Sequence, residues 1–428
     1  MSVPATASSP RPRAPGPRVV ARGIGLAVGL AAGRACVALA GVAFAGCSAG
    51  TKAPDRTKRA AETPVDLADP VARGDVAVRE ARLDDAVAAY EAAIAADREA
   101  VRPHLRLVAA LSGAGRRSVA RDRYVRVAAA PGATAAERVM AARLATDGSA
   151  PAVRAVYVEA AKAAPDNPWW RLALAEIDLA SADGWIRKHE AARAAGDRPG
   201  ATEAAATVQR ALARAQSAVE NAAARAPDLP EVALYRGLLR SLESELLTTA
   251  SARAAAQRAA ADAFAQAVTL DPGSVDAWAN LADARRRVGE PAEALAAYLA
   301  ALRLAPSDPE LRTGAGAVLH ELDRDGDAAA QLLEAARLAP RDAAPLVAAG
   351  DALAGDEQHA AALEVWGRAL DRDPAAIEVY VRRGAVLETM GRTAEAREEY
   401  AAYLERGGPE SARVRRRIER LMSPEAPK

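Results

Sequence analysis

The sequence predicts an all-α protein built as a solenoid of paired helices, and three observations carry that prediction. Half of the chain is hydrophobic (51%) while only 4% is aromatic, so the apolar content is mostly alanine, leucine and valine, which favours closely packed helices over a β-sandwich. Apolar residues recur at i, i+4 and i+7 in paired segments separated by Gly- or Pro-containing turns. The pairs then repeat every 34 residues through the C-terminal part of the chain, a period that fits two helices and two turns. The 428 residues allow two to three ordinary domains or one long repeat array. Lys+Arg 57 against Asp+Glu 56 is far from the basic balance of a nucleic-acid surface, which excludes nucleic acid as the expected partner.

Residues 1–46 stand apart. They carry Arg11, Arg13, Arg18, Arg22 and Arg34 with no acidic residue, followed by the uncharged stretch ACVALAGVAFAG, the pattern of a signal peptide. FAGC, ending at Cys47 and followed by Ser48, resembles the lipobox of bacterial lipoproteins, with Phe44 where that family usually has leucine. The resemblance implies export, cleavage before Cys47, and a diacylglycerol on its thiol. Ser48 in place of aspartate implies delivery to the periplasmic side of the outer membrane in a Gram-negative host. Two other readings of the segment stay open: an ordinary cleaved secretion signal, and an uncleaved anchor over residues 23–46 with Arg34 near its middle, which costs a few kcal/mol in a bilayer. Cleavage would discard Cys36 and leave one thiol with no disulfide partner. It would also leave the mature chain mildly acidic. Residues 47–66, through SAGTKAPDRTKRAAETPVD, have the small, polar and Pro-containing composition of a flexible tether. The folded part is expected from Leu67.

The repeats are clearest in SVDAWANLADARRRVGEPAEALAAYLAALRLAPSDP. Trp278, Leu281, Ala282, Gly289, Ala294, Tyr298, Ala301 and Pro306 fall where the tetratricopeptide repeat (TPR) has its signature residues, and the segment resembles that family. Trp278 and Ala282 lie one turn apart on one helix face, and Ala294, Tyr298 and Ala301 line the facing helix. Units start in unbroken phase at Val275, Pro309, Ala343 and Ile377, so that four well-phased units occupy 275–410. Ala328, Leu332, Ala335 and Pro340 recur as Ala362, Trp366, Ala369 and Pro374, then as Ala396, Tyr400 and Tyr403. Asp308 before Pro309 is a helix start signal. The resemblance implies a TPR-type α-α superhelix.

Upstream, 67–167 reads as three divergent units: Gly74, Ala86, Tyr90 and Ala93 fit the first, Leu107, Gly115, Ala120 and Tyr124 the second, and Tyr157, Ala160 and Pro165 the third. Residues 168–274 read as two elongated units, Pro168–Leu229 and Pro230–Ser274, roughly 28 and 11 residues beyond the period. GDRPG at 196–200 supplies a hairpin turn, so a helical finger is expected to project there. Trp169, Trp170 and Trp185 on its first helix either dock a partner or pack against the Ala-rich second helix. Residues 411–428 form a capping helix and tail, with Val414, Ile418 and Leu421 on one face; Arg413, Arg415, Arg416, Arg417 and Arg420 form a solvated face or touch anionic lipid or a partner.

Little in the sequence points to chemistry. DRDGDAAAQLLE places Asp323, Asp325, Asp327 and Glu334 at calcium-loop positions, but Ala328 stands where that loop requires glycine, and the turn between helices already accounts for the aspartates. His104, His189, His320 and His359 have no ligand-like spacing, so no metal is expected. GDRPGAT lacks the Gly-Lys-Ser/Thr ending of a phosphate loop, and no cofactor is expected. Leader, tether, repeats and cap together account for every long stretch, so the chain is not expected to be an enzyme.

The resemblance to exported TPR lipoproteins implies a protein-interaction scaffold at the bacterial envelope, for pilus, secretion or outer-membrane assembly. The alternatives are an accessory factor of cell-wall or exopolysaccharide machinery, and a secreted or signal-anchored TPR adaptor. In this family, positions 2, 5, 9, 12 and 13 of each first helix face a concave groove. Carried onto the four phased units, the charged or titratable members are Asp276, Asp283, Arg286, Arg287, Glu310, His320, Glu321, Asp351, Glu378 and Glu388. This set is net negative, and it either solvates an idle surface or, as the resemblance implies, receives a protein or peptide partner of basic character, steered by the field. The basic residue and asparagine of chaperone-tail TPR domains are absent from positions 5 and 9, which hold Ala279, Thr313, Val347 and Val381, then Asp283, Ala317, Asp351 and Ala385.

Overall fold

The computed structural model describes residues 68–422 apart from 81, 114–115, 146–149 and 409–411. Among these, helices are the sole regular structure, and they pack as antiparallel pairs. The signal segment, the tether and Cys47 lie outside the described residues. No helix among the described residues is long and apolar enough to cross a membrane. The chain divides into two units, one ending at Leu242 and the other beginning at Glu243. This division falls inside a helix that the sequence reading assigned whole to one elongated unit.

The N-terminal unit opens with α1 (Pro70–Arg79) and α2 (Leu83–Ala96). Asp69 caps α1 by accepting from the Val71 and Ala72 N–H groups, with Pro70 in the first turn. α3 (Val101–Gly113), α4 (Arg117–Ala128), α5 (Ala135–Leu144) and α6 (Ala150–Ala163) continue the pairs. α5 starts with a capping box in which the Thr134 side chain accepts from the Glu137 N–H and the Glu137 carboxylate from the Thr134 N–H. Tyr90, Leu107, Tyr124, Met140, Tyr157 and Trp170 fill one continuous core.

α7 (Pro168–Ala194) and α8 (Arg198–Ala223) run 27 and 26 residues and form a long hairpin. Gly196 takes φ +74° in the turn, and Asp197 caps α8 through the Gly200 N–H at 3.0 Å. Alanine and valine seal the seam: Ala182, Ala204, Val208, Ala211 and Ala215 are all buried. The tryptophans separate in role. Trp170 is fully buried among residues of α5 and α6, Trp169 packs against the same core, and Trp185 is half-buried with the Lys188 ammonium 3.9 Å from its ring centroid. Trp170 is therefore held by the preceding pair of helices and not by α8, the partner the sequence suggested. α9 (Pro230–Leu246) crosses the division between the units.

The C-terminal unit continues through α10 (Ala250–Leu270), α11 (Val275–Val288), α12 (Pro291–Leu304), α13 (Pro309–Glu321), α14 (Asp325–Leu338), α15 (Ala344–Gly355), α16 (His359–Arg372), α17 (Glu378–Thr389), α18 (Thr393–Glu405) and α19 (Ala412–Met422). The inter-helix turns of the last four pairs pass through the left-handed region at one recurring site: Gly289, Asp323, Glu357 and Gly391 have φ +90°, +55°, +59° and +72°. The calcium-like aspartates disperse around that turn. Asp325 accepts from or shares a proton with His320 Nδ1, Asp327 pairs with Arg324, and Glu334 pairs with Arg337.

Candidate functional site

The second helix of most pairs carries a large aromatic side chain, which must bury its ring and satisfy its polar atom. Tyr90 donates to Asp75 at 2.7 Å, and Tyr298 donates to Asp283 in the same repeat position. Trp366 Nε1 donates to the Val347 carbonyl at 3.1 Å, and Tyr400 donates to Glu388 at 2.6 Å. Position 9 of the first helix, expected from the sequence to face a ligand, thus supplies an internal acceptor in two pairs.

The remaining predicted groove residues are also largely occupied within the chain. Arg286 reaches from α11 to Glu321 of α13 at 2.7 Å, and Arg287 pairs with Glu245. His320 meets Asp325. Asp351 binds Arg382 at 2.9 Å, yet burial outweighs that cation and pushes the Asp351 carboxyl above the usual carboxylate range. Glu388 takes Arg417 at 2.8 Å and Arg420 at 3.0 Å besides Tyr400. Asp276, in the first turn of α11, is half-buried, and its carbonyl accepts from the Asn280 side chain at 2.7 Å. Glu310 and Glu378 are exposed in the first turns of α13 and α17. Counting charge by repeat position omitted Arg382, Arg417 and Arg420, which offset much of the negative field, and Glu245, which neutralises Arg287. The one signal of their role was the arginine density of residues 413–420.

An open cleft of ≈ 390 Å³ lies where these elements meet in the C-terminal unit. Val381 and Ala385 of α17, Tyr403 of α18 and Val414 of α19 give it apolar walls, and Glu378, Arg382 and Arg417 bring charge of both signs. Glu378, Val381 and Ala385 occupy positions 2, 5 and 9 of the last phased unit, so here the structure gathers residues the sequence assigned to the groove. Apolar walls with separated charges suit a protein segment whose side chains alternate in character. Among the described residues, no group of three or more His, Cys, Asp and Glu side chains is placed to hold a metal ion.

Residues 275–318 and 347–412 each match the tetratricopeptide repeat family. Within these two segments the helix pairs match TPR repeats. No curated protein matches the chain. Among solved structures, it resembles YrrB, described as a TPR protein with an unusual peptide-binding site, at 17% identity and TM-score 0.40 over 47% of this chain and 97% of that one. It also resembles MamA, at 19% identity and TM-score 0.35 over 38% and 96%. PilF of Pseudomonas aeruginosa aligns at 26% identity and TM-score 0.35 over 39% and 75%. At these scores the structural likenesses carry no weight, and the TPR assignment rests on the family matches. The Tyr298–Asp283 and Tyr400–Glu388 contacts and most of the cleft lining fall within the matched segments.

Proposed function

We propose that this protein is a non-catalytic TPR scaffold, tethered at the bacterial cell envelope through a lipid on Cys47, that holds a protein or peptide segment along the first helices of its C-terminal units. The observation that carries the reading is the cleft at Glu378, Val381 and Ala385, where groove positions of a family-matched repeat line open apolar space. Assembly of pili, secretion channels or outer-membrane proteins is the proposed setting, with cell-wall or exopolysaccharide machinery as the alternative pathway. The internal pairing of Glu321, Asp351 and Glu388 moves the weight of recognition from a long-range acidic field toward apolar contact with local charge matching.

Affinity capture from envelope extract, with wild type and a Val381→Asp, Ala385→Asp variant side by side, tests the scaffold reading. A partner retained by the wild type and lost from the variant is expected; equal retention would remove the cleft from the binding surface. Metabolic labelling with an alkynyl fatty acid tests the anchor. Label on the wild type and none on Cys47→Ala is expected, and an unlabelled wild-type protein in its native host would reject lipidation.

A further inference from the structure

The cleft of the C-terminal unit carries three charges, Glu378, Arg382 and Arg417, and they are not equivalent. Arg417 of α19 pairs with Glu388 at 2.8 Å. Arg382 follows Glu378 by four residues on α17, a spacing at which acid and base pair along a helix. It instead meets Asp351 of α15 at 2.9 Å. Both cations on the cleft wall are thus neutralised by acids of the chain itself. Glu378 is exposed in the first turn of α17 and makes no hydrogen bond or ion pair with any described residue. The charge left to an incoming segment is one carboxylate.

Apolar surface lies directly beside that carboxylate. Val381 follows Glu378 by one turn of α17 and Ala385 by two, about 5 and 10 Å along the helix axis, and both are half-buried. Tyr403 and Val414 complete the apolar lining of the ≈ 390 Å³ space. We infer that the cleft selects a partner segment with one large apolar side chain and a Lys or Arg within two positions of it. The apolar side chain lies against Val381, Ala385, Tyr403 and Val414, and the cation reaches Glu378. Two residues of an extended chain span about 7 Å, which matches the distance from Glu378 to the middle of the apolar wall. The inference rests on the scaffold reading and names the residue that sets its specificity. Position 2 of this one unit, and not the summed charge of the groove, then decides which segment is held.

The test pans a display library of random heptapeptides on the whole protein, after depletion on the Val381→Asp, Ala385→Asp variant so that the retained peptides depend on the cleft. Wild type is expected to enrich Lys or Arg within two positions of a large apolar residue. Glu378→Lys is expected to keep the apolar residue and to enrich Asp or Glu beside it. Glu378→Gln is expected to keep the apolar residue with neither charge, and to bind a selected basic peptide about two- to fivefold more weakly than wild type at low salt. That difference should shrink as salt rises. Circular dichroism checks that each variant keeps the wild-type helicity, as expected for an exposed residue without a partner. An apolar preference without a cation in wild type, or the same charge preference in wild type and Glu378→Lys, would overturn the inference while leaving the scaffold reading in place. Recovery of no cleft-dependent peptide would also overturn it, and envelope capture with the Val381→Asp, Ala385→Asp variant then reports on the scaffold reading separately.

Discussion

Gly384 of α17 lies against the ring of Tyr400 in α18, so close that a Cβ on the glycine would come within 2.7 Å of Tyr400 Cε1. The same contact joins Gly74 to Tyr90 and Gly350 to Trp366, with a built Cβ at 2.3 Å in each case. A glycine on the first helix lets the aromatic of the second helix enter, and the aromatic then finds its acceptor nearby.

Gly384→Ala is expected to destabilise the C-terminal unit. Overpacking against a ring costs about 1–3 kcal/mol, more than the roughly 1 kcal/mol that alanine gains over glycine in a helix. Gly367, inside α16, has nothing within 4 Å of a built Cβ, so Gly367→Ala is expected to stabilise by up to about 1 kcal/mol. Denaturant midpoints of the two variants should move in opposite directions; a parallel shift would show that the contact is not sterically tight.

Glu357 occupies the recurring left-handed turn at φ +59°, where Gly391 stands in the next repeat and Gly289 two repeats earlier. Glu357→Gly is expected to raise stability by about 0.5–1 kcal/mol, because relief of the side-chain clash exceeds the added chain entropy. A thermal melt checks this, and a lowered midpoint would count against the strain.

Glu137 is buried at the start of α5. Burial pushes its carboxyl up, but the Thr134 N–H and the Arg98 guanidinium, whose nitrogens lie 2.8 and 3.0 Å away, hold it below the usual carboxylate range overall. Its folded pKa is thus depressed, so the stabilisation is present above the unfolded value near 4.5 and is lost as pH falls through the folded value. Glu137→Gln is expected to lower stability at neutral pH by about 1–3 kcal/mol and to flatten the acid limb of the N-terminal unit. An unchanged slope of stability between pH 5 and 3, as measured by urea unfolding, would exclude this linkage.

The outer part of the α7–α8 hairpin is expected to be dispensable for folding. Asp178, which ties α7 to Arg154 at 3.0 Å and to Arg214 at 2.9 Å, lies below it. Matched deletions of 184–194 and 199–209 remove about three turns from each helix and so keep the buried face in register. Cooperative unfolding should persist with native-like helicity in the remainder, as checked by circular dichroism. Loss of cooperativity would show that the tip supports the unit.

The sequence made the helix pairs legible residue by residue. Tyr298, Trp366 and Tyr400 announced their burial by spacing, and Gly196–Asp197 announced the turn of the long hairpin. The fate of the acidic set was not legible in the same way. Asp283 and Glu388 read as exposed groove charges, whereas the first accepts from Tyr298 and the second gathers Tyr400, Arg417 and Arg420. A periodic template places a side chain on a face and says nothing of what stands opposite.

Helix periodicity, caps and turn glycines act over a few residues, which is why the all-α class, the paired helices and the phase of the C-terminal repeats could be read from the chain. Tertiary structure alone decided the pairing of charge: Arg286 with Glu321, Arg287 with Glu245, and Asp351 with Arg382 are 35, 42 and 31 residues apart. Such pairs depend on the rotation and stagger of neighbouring helices, which are set by how whole faces pack and are not written in any local pattern.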